Sequence, residues 1–277
     1  MTDEKMKRFV IRASKAVLPP KLRTKLLLAA AELKSLIKYG ERHYFQQVWI
    51  ETVTHCNRRC SYCTNSVLPI AAETMAPNRF VKILERLKDI GWDGPLGYHY
   101  LGEPLLHPEI LRLVELTRSV LPRALPILFT NGDRLSLELA YRLQAAGLFK
   151  AAITRHRPYR DEWDDRIEQV QAIDPFLFEV FNIEDKSNEL VNMAGILSGI
   201  TTPMRERCMA PKRTLPIRMN GDVSLCCCDY KQEVTFGNVL ETPIQELWDA
   251  ARWKGHRELL MHGIRTFEIC KGCTGVA

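Results

Sequence analysis

No apolar run in this chain approaches the roughly 20 residues that a membrane-spanning helix needs; the longest candidate, Leu26–Ala31, is six residues. An export signal is missing as well, because Lys5, Lys7, Arg8, Arg12 and Lys15 interrupt every apolar stretch of the N-terminus. The expected location is therefore cytoplasmic, with no membrane span. Internal repeats and low-complexity tracts are absent too. What remains is an ordinary globular composition: 277 residues, 46% hydrophobic and 26% charged, enough for one large domain and a small one. With no export signal, the nine cysteines argue against a disulfide framework and for metal ligation, since a reducing compartment keeps thiols free.

Charge is unevenly placed. Residues 1–49 hold eleven Lys or Arg against four Asp or Glu, a local charge of +7 within a whole-chain +6. Leu22, Leu26, Ala29, Ala30, Leu33, Leu36 and Ile37 follow helical spacing, and Lys21, Lys25, Lys34 and Lys38 fall mostly off that face. The pattern predicts a basic helical extension over residues 1–47 that docks by its apolar side. Nucleic acid is not the expected partner.

Beyond it, short apolar strands alternate with amphipathic helices. Strands are expected at Val48–Val53, Leu96–Leu101, Ile127–Thr130, Ala151–Thr154 and Phe176–Phe181. Helices are expected from Pro77 to Ile90, Glu109 to Leu121, Ser136 to Ala146 and within Glu162–Ile173. This alternation predicts an α/β fold with a parallel sheet and helices outside, over residues 48–200. Such sheets place ligand sites at the carboxyl ends of their strands. A cysteine loop follows the first strand, Gly102-Glu103-Pro104 the second, Asn131-Gly132-Asp133 the third, Arg155-His156-Arg157 the fourth and Asn182 to Asp185 the fifth. From about Thr201 the alternation stops. Asn220-Gly221-Asp222 between two short apolar runs predicts a hairpin, and a helix is expected from Pro243 through Leu260, so residues 201–277 read as a second, smaller unit.

The cysteine loop is Cys56-Asn-Arg-Arg-Cys60-Ser-Tyr-Cys63, a C-x3-C-x2-C pattern. Three thiolates are one short of a closed structural zinc site. A [4Fe–4S] cluster held by three thiolates, in contrast, leaves one iron free to bind a cofactor. Four more cysteines, Cys208, Cys226, Cys270 and Cys273, form C-x17-C-x43-C-x2-C and suffice for one further cluster or for a four-cysteine zinc site.

With Tyr62 before its last cysteine, the loop resembles the signature of the radical S-adenosylmethionine enzymes. Leu101-Gly102-Glu103-Pro104 is similar to that family's GGEP motif, with Leu101 in place of the first glycine, and Thr130-Asn131 resembles the strand end near the cofactor's ribose. Gly221-Asp-Val-Ser-Leu-Cys226, Gly237-Asn238, Glu246-Leu-Trp248 and Asn192-Met-Ala-Gly195 resemble elements of the SPASM and shorter twitch domains that follow radical barrels. The single-cluster spacing is similar to that of a cyclitol-oxidising branch of the family. The resemblance implies a partial (β/α)6-type TIM barrel with a small twitch or SPASM-like domain built from a β-hairpin plus helix. It also implies S-adenosyl-L-methionine and two [4Fe–4S] clusters as cofactors. Cys56, Cys60 and Cys63 would hold one cluster and the other four cysteines the auxiliary one. Tyr62, Gly102, Glu103, Pro104, Thr130, Asn131 and Arg155 would contact the cofactor.

Hydrogen abstraction from a hydroxyl-bearing carbon, followed by loss of a proton and an electron, makes a ketone. An auxiliary cluster with no vacant position suits the electron, and His156, Glu184, Asp185 or Asp229 the proton. The expected reaction is thus oxidation of a small sugar- or cyclitol-like substrate, with flavodoxin or ferredoxin as electron donor. Cys227 and Cys228, surplus to both clusters, support a competing reading. A free thiol can return a hydrogen atom to a carbon radical, which makes an epimerase. Peptide side-chain modification is a further alternative.

Overall fold

The computed structural model describes residues 44–275 except 69–70, 186–189, 201–203 and 205, together with residues 30, 33, 36, 37 and 40. The chain divides into two units, Met1–Gln46 and Gln47–Ala277. In the first, Ala30, Leu33, Leu36 and Ile37 are helical. The remainder of the helix expected between Leu22 and Ile37 lies outside the described residues.

The second unit runs β1 Gln47–Ile50, α1 Pro77–Asp89, β2 Pro95–Gly97, α2 Ile110–Val120, β3 Leu125–Thr130, α3 Leu137–Ala145, β4 Lys150–Arg155, α4 Asp161–Ile173 and β5 Phe178–Asn182. It continues with α5 Ala210–Arg213, β6 Thr214–Ile217, β7 Asp222–Ser224, β8 Thr235–Asn238, α6 Ile244–Asp249, α7 Ala251–Met261 and α8 Glu268–Lys271. The strands form one sheet in the order β5-β4-β3-β2-β1-β6-β7-β8. From β5 to β6 every pairing is parallel, and only β6-β7 and β7-β8 are antiparallel. This is the partial barrel, with the hairpin strand β6 pairing along the whole length of β1 from Gln47↔Thr214 to Ile50↔Ile217. The auxiliary region therefore grows directly out of the barrel's sheet.

Three of the helices show why they form. In α1, Pro77 occupies the first turn, where its missing N–H costs nothing, and Phe80, Ile83, Leu84 and Leu87 make a buried i, i+3, i+4, i+7 stripe. Ser136 caps α3 by accepting from the Leu139 N–H at 3.1 Å. Acidic Asp161, Glu162 and Asp164 sit in the first turn of α4, where the helix dipole favours them. On the helix-facing side of the sheet, Tyr98 packs on Phe80 with centroids 5.8 Å apart, and its hydroxyl donates to Thr117 Oγ1 at 2.9 Å. On the other side, Trp49, His99 and Phe129 form a row, with ring centroids 4.9 and 4.4 Å apart. A side chain at Gly97 would lie 2.9 Å from the His99 ring and 3.1 Å from Trp49.

Two expectations need correction. The first two strands end early, at Ile50 and Gly97, because the chain leaves the sheet there to build the loops described below. The single helix expected from Pro243 to Leu260 is two helices, broken at Ala250 with ψ 126°. The break lets Trp248 and Trp253, both with no exposed surface, turn into one core with rings 4.9 Å apart. Arg257 repairs the gap: its Nη2 donates to the Trp248 carbonyl at 2.8 Å, and its guanidinium lies 3.8 Å over the Trp248 ring.

Arg257→Met should therefore lower stability by about 1–3 kcal/mol through the lost carbonyl partner and cation–π contact. Leu259→Ala, on the exposed side of the same helix, should change it by less than about 0.5 kcal/mol. Anaerobic thermal melts of the two iron-loaded variants check this, and equal midpoints would contradict it.

Candidate cofactor and active site

The segment after β1 closes on itself before it opens into the cysteine loop. Val53 bridges Thr74, the Thr54 N–H donates to the Glu73 carbonyl at 3.2 Å, and the Met75 N–H donates to the Thr52 carbonyl at 2.9 Å. The loop hung from this neck carries Cys56, Cys60 and Cys63, all half-buried. A turn closes from the Cys63 N–H to the Cys60 carbonyl at 2.9 Å. Burial pushes the Cys56 and Cys60 thiols up, and a bound cation would stabilise their thiolates. Donors already point at one sulfur: the Arg58 N–H lies 3.4 Å and Asn131 Nδ2 3.7 Å from Cys56 Sγ.

Gly102 crosses under this loop. An added side chain there would lie 2.1 Å from the Val53 carbonyl oxygen and 2.9 Å from that of His55, so only glycine permits the crossing. The next residue completes it, with the Glu103 N–H donating to the His55 carbonyl at 2.9 Å. The Glu103 side chain is 4% exposed. Its Oε1 accepts from the Leu105 N–H at 3.0 Å and from Thr130 Oγ1 at 2.6 Å, and its Oε2 accepts from the Asn131 N–H at 2.8 Å. Burial pushes this carboxyl up against those three bonds. An ionised carboxylate offers about four acceptor positions, so one remains for a ligand's ammonium group. Pro104 starts a short 3-10 turn, Pro104–Leu106. Asn131 adds a bond from Nδ2 to Asn57 Oδ1 at 2.9 Å. The Gly102, Glu103, Thr130 and Asn131 side of the predicted site thus gathers around Cys56.

His156 joins it: its Nδ1 is 2.5 Å from the Tyr62 hydroxyl, and its carbonyl accepts from Arg58 Nη1 at 3.3 Å. Burial first, and then the Arg58 charge, push the imidazole down to about 4, which keeps it neutral near pH 7. Arg155 is held elsewhere, forked to Asp164 of α4 with its guanidinium 4.0 Å over the Tyr159 ring. Arg157 and Tyr159 both bind Glu184, and Asn182 donates to Asp185 at 3.3 Å.

Sequence reasoning missed the pin that fixes the loop. Arg58 forks onto Asp133, from Nε at 2.8 Å and Nη2 at 2.5 Å, and Asn57 donates to the same carboxylate at 2.8 Å. Burial pushes the Asp133 carboxyl up, but the Arg58 contact outweighs it and holds the group below its ordinary range. Arg58 and Asp133 are 75 residues apart, and no local pattern signals their pairing.

The second cysteine set is buried. Cys208, Cys226, Cys270 and Cys273 share one apolar cluster with Leu225, Val234 and Leu260. Asn192 clasps the last cysteine loop, accepting from the Thr274 N–H at 2.9 Å and donating to the Gly272 carbonyl at 2.8 Å. Cys228, 2% exposed, lies inside this pocket among Cys226, Cys270 and Cys273, while Cys227 is partly exposed at its edge. Asp229 is fully buried and caps its own loop, accepting from the Glu233 and Val234 N–H groups at 2.9 and 3.1 Å. Barrel and auxiliary pocket meet at Tyr100, whose hydroxyl donates to the Cys226 carbonyl and lies 2.9 Å from Ser224 Oγ. Among the described residues, no three His, Cys, Asp or Glu side chains are spaced for a single metal ion. The two sets of thiols, one of three and one of four, match in number and softness the donors that iron–sulfur clusters require.

Comparison with known proteins agrees with this geometry. The radical SAM superfamily profile matches residues 50–168, and the SPASM iron–sulfur cluster-binding domain matches residues 208–274. The S-adenosyl-L-methionine-dependent 2-deoxy-scyllo-inosamine dehydrogenase of Niallia circulans is 30% identical over 238 residues, 84% of this chain and 94% of that protein. The crystal structure of BtrN in complex with AdoMet and 2-DOIA superposes with TM-score 0.77 at 30% identity, over 83% of this chain and 92% of that one. Native anSMEcpe with bound AdoMet, 13% identical over 82% of this chain and 89% of that one, shares the fold alone at TM-score 0.54. The cofactors that go with the two matched domains are S-adenosylmethionine and two [4Fe–4S] clusters. The chain belongs to the radical SAM superfamily, as an oxidoreductase with a C-terminal SPASM-type cluster domain.

Proposed function

We propose that this enzyme oxidises a hydroxyl-bearing carbon of a small sugar- or cyclitol-like molecule to a ketone. The observation that carries this reading is the auxiliary pocket: four buried cysteines supply a full ligand set and leave no open position for substrate, so electron transfer is its simplest use. The likeness to a cyclitol dehydrogenase over 84% of the chain supports the same choice. When bound, the first cluster and S-adenosylmethionine supply a 5′-deoxyadenosyl radical that takes hydrogen from carbon, and the second cluster supplies an acceptor for the remaining electron.

The chain's own groups do the rest. Cys56, Cys60 and Cys63 hold the first cluster, and Cys208, Cys226, Cys270 and Cys273 the second. Glu103 receives the cofactor's ammonium group at its remaining acceptor position, with Thr130 and Asn131 fixing the carboxylate. Neutral His156, bonded to Tyr62, accepts the proton that leaves the hydroxyl. A small electron carrier such as flavodoxin or ferredoxin delivers the reducing electron. The reducing cytoplasm, where thiols stay free, is the compartment this chemistry needs.

Two measurements check the reading. Anaerobic, iron-loaded enzyme given reductant, S-adenosylmethionine and 2-deoxy-scyllo-inosamine or a related aminocyclitol should yield deoxyadenosine and a product two hydrogens lighter than its substrate. A product of unchanged mass that gains solvent deuterium, and loses it in Cys227→Ala, would instead establish epimerisation. Glu103→Gln should raise the KM for S-adenosylmethionine by at least roughly tenfold, the equivalent of one charge-assisted contact at about 1.5–3 kcal/mol; an unchanged KM would contradict its assigned role.

A further inference from the structure

Just past β2, one barrel side chain reaches into the auxiliary region. Tyr100 is buried, and its hydroxyl donates to the Cys226 carbonyl and lies 2.9 Å from Ser224 Oγ of β7. A phenol has one hydrogen to give, so Ser224 is the donor in the second contact. The Cys226 carbonyl also accepts from the Asp229 N–H at 3.1 Å, and the Asp229 side chain caps the same loop. The peptide of one auxiliary ligand is thus held by its own turn and by a side chain from the barrel.

In the sheet, β1 and β6 lie between β2 and β7, and Tyr100 spans them beside a buried ion pair. Arg218, just past β6, sets its guanidinium 4.3 Å over the Tyr100 ring and its Nε 3.2 Å from Oε2 of Glu51, just past β1. Glu51 Oε2 also accepts from the Met219 N–H at 3.2 Å. A cation on the ring face draws electron density from the phenol and strengthens its O–H as a donor. Three residues on is Glu103, whose carboxylate is assigned to the cofactor's ammonium group and whose N–H donates to the His55 carbonyl. The stretch from Tyr100 to Glu103 therefore bonds an auxiliary ligand at one end and the first site at the other.

We infer that Tyr100 is a positioning residue for the auxiliary cluster: its hydroxyl, polarised by Arg218, fixes the peptide of ligand Cys226 and makes the cluster held there a stronger electron acceptor. Outer hydrogen bonds orient metal ligands and tune reduction potentials. The O–H dipole turns its positive end toward the ligand peptide inside a buried site, which favours the cluster state carrying the extra electron. What this does to turnover rests on the oxidation proposed above; what it does to the cluster stands apart from it.

The test is an anaerobic potentiometric titration, read by electron paramagnetic resonance, of full-length iron-loaded protein in which Cys56, Cys60 and Cys63 are alanine, so that only the auxiliary cluster is present. Adding Tyr100→Phe should lower the midpoint potential by roughly threefold or more in the reduction equilibrium, about 28 mV for one electron at 59 mV per tenfold, with iron content unchanged. Tyr98→Phe is the control, since that hydroxyl is also buried but donates to Thr117; its midpoint should not move. An unmoved or raised midpoint in Tyr100→Phe, or an equal fall in Tyr98→Phe, overturns the inference. If Tyr100→Phe fails to take up iron, Ser224→Ala decides, because it removes the donor to Tyr100 and leaves the phenol in place. A lowered midpoint there supports the inference and an unmoved one overturns it. With the first cluster intact and the aminocyclitol supplied, Tyr100→Phe should also give roughly threefold less ketone per deoxyadenosine. A shifted midpoint with an unchanged ratio defeats the assignment of the auxiliary cluster as electron acceptor and leaves the role of Tyr100 standing. A fallen ratio with an unmoved midpoint does the reverse.

Discussion

The buried Glu103 carboxylate is the interaction on which the rest of this site depends. A carboxylate 4% exposed is expensive to bury unless its oxygens are satisfied, and here three donors from two loops do so. The same residue's N–H reaches the His55 carbonyl at the base of the cysteine loop. One residue therefore ties the ends of β1, β2 and β3 together at the base of the loop proposed to hold the first cluster. Gly102 makes that geometry possible, since any side chain would collide with the Val53 carbonyl. Arg58 and Asp133 then fix the loop from its other side. A frame of hydrogen bonds from both sides sets the loop that carries the three thiols.

A second constraint couples the two cysteine regions. β6 is at once the sixth parallel strand of the barrel sheet and the first strand of the auxiliary hairpin. Glu51 and Arg218 pair across β1 and β6, and Tyr100 carries the contact on to Cys226. Strand β6 thus joins the barrel sheet to the auxiliary hairpin by direct pairing on both of its edges. For an oxidation that must pass an electron from substrate to a second cluster, a continuous sheet fixes the separation in advance.

Much of this was legible in the sequence because it is local. C-x3-C-x2-C, Gly-Glu-Pro and the hairpin turn at Asn220–Asp222 are short-range patterns, and the strand–helix alternation sets their order on one rim. The structure adds what is set by pairing across many residues: Arg58 with Asp133, Glu51 with Arg218, Tyr100 with Cys226. Charged and aromatic residues of these types are common, and nothing in their neighbourhood marks them as partners. The break at Ala250 was illegible for a different reason. Local propensity favours one helix there, and the burial of Trp248 and Trp253 in a shared core overrides it. Arg155 shows what a rim position alone leaves open, since its side chain is forked to Asp164 across the turn into α4.

The most direct measurement is electron paramagnetic resonance of the reduced protein in which Cys208, Cys226, Cys270 and Cys273 are all replaced by alanine, so that only the loop at Cys56, Cys60 and Cys63 can hold iron. With about four irons bound per chain, the signal should change on adding S-adenosylmethionine, because one iron has a vacant position for the cofactor. A loaded cluster whose signal is indifferent to S-adenosylmethionine would contradict the vacant-iron site from which the whole functional reading follows.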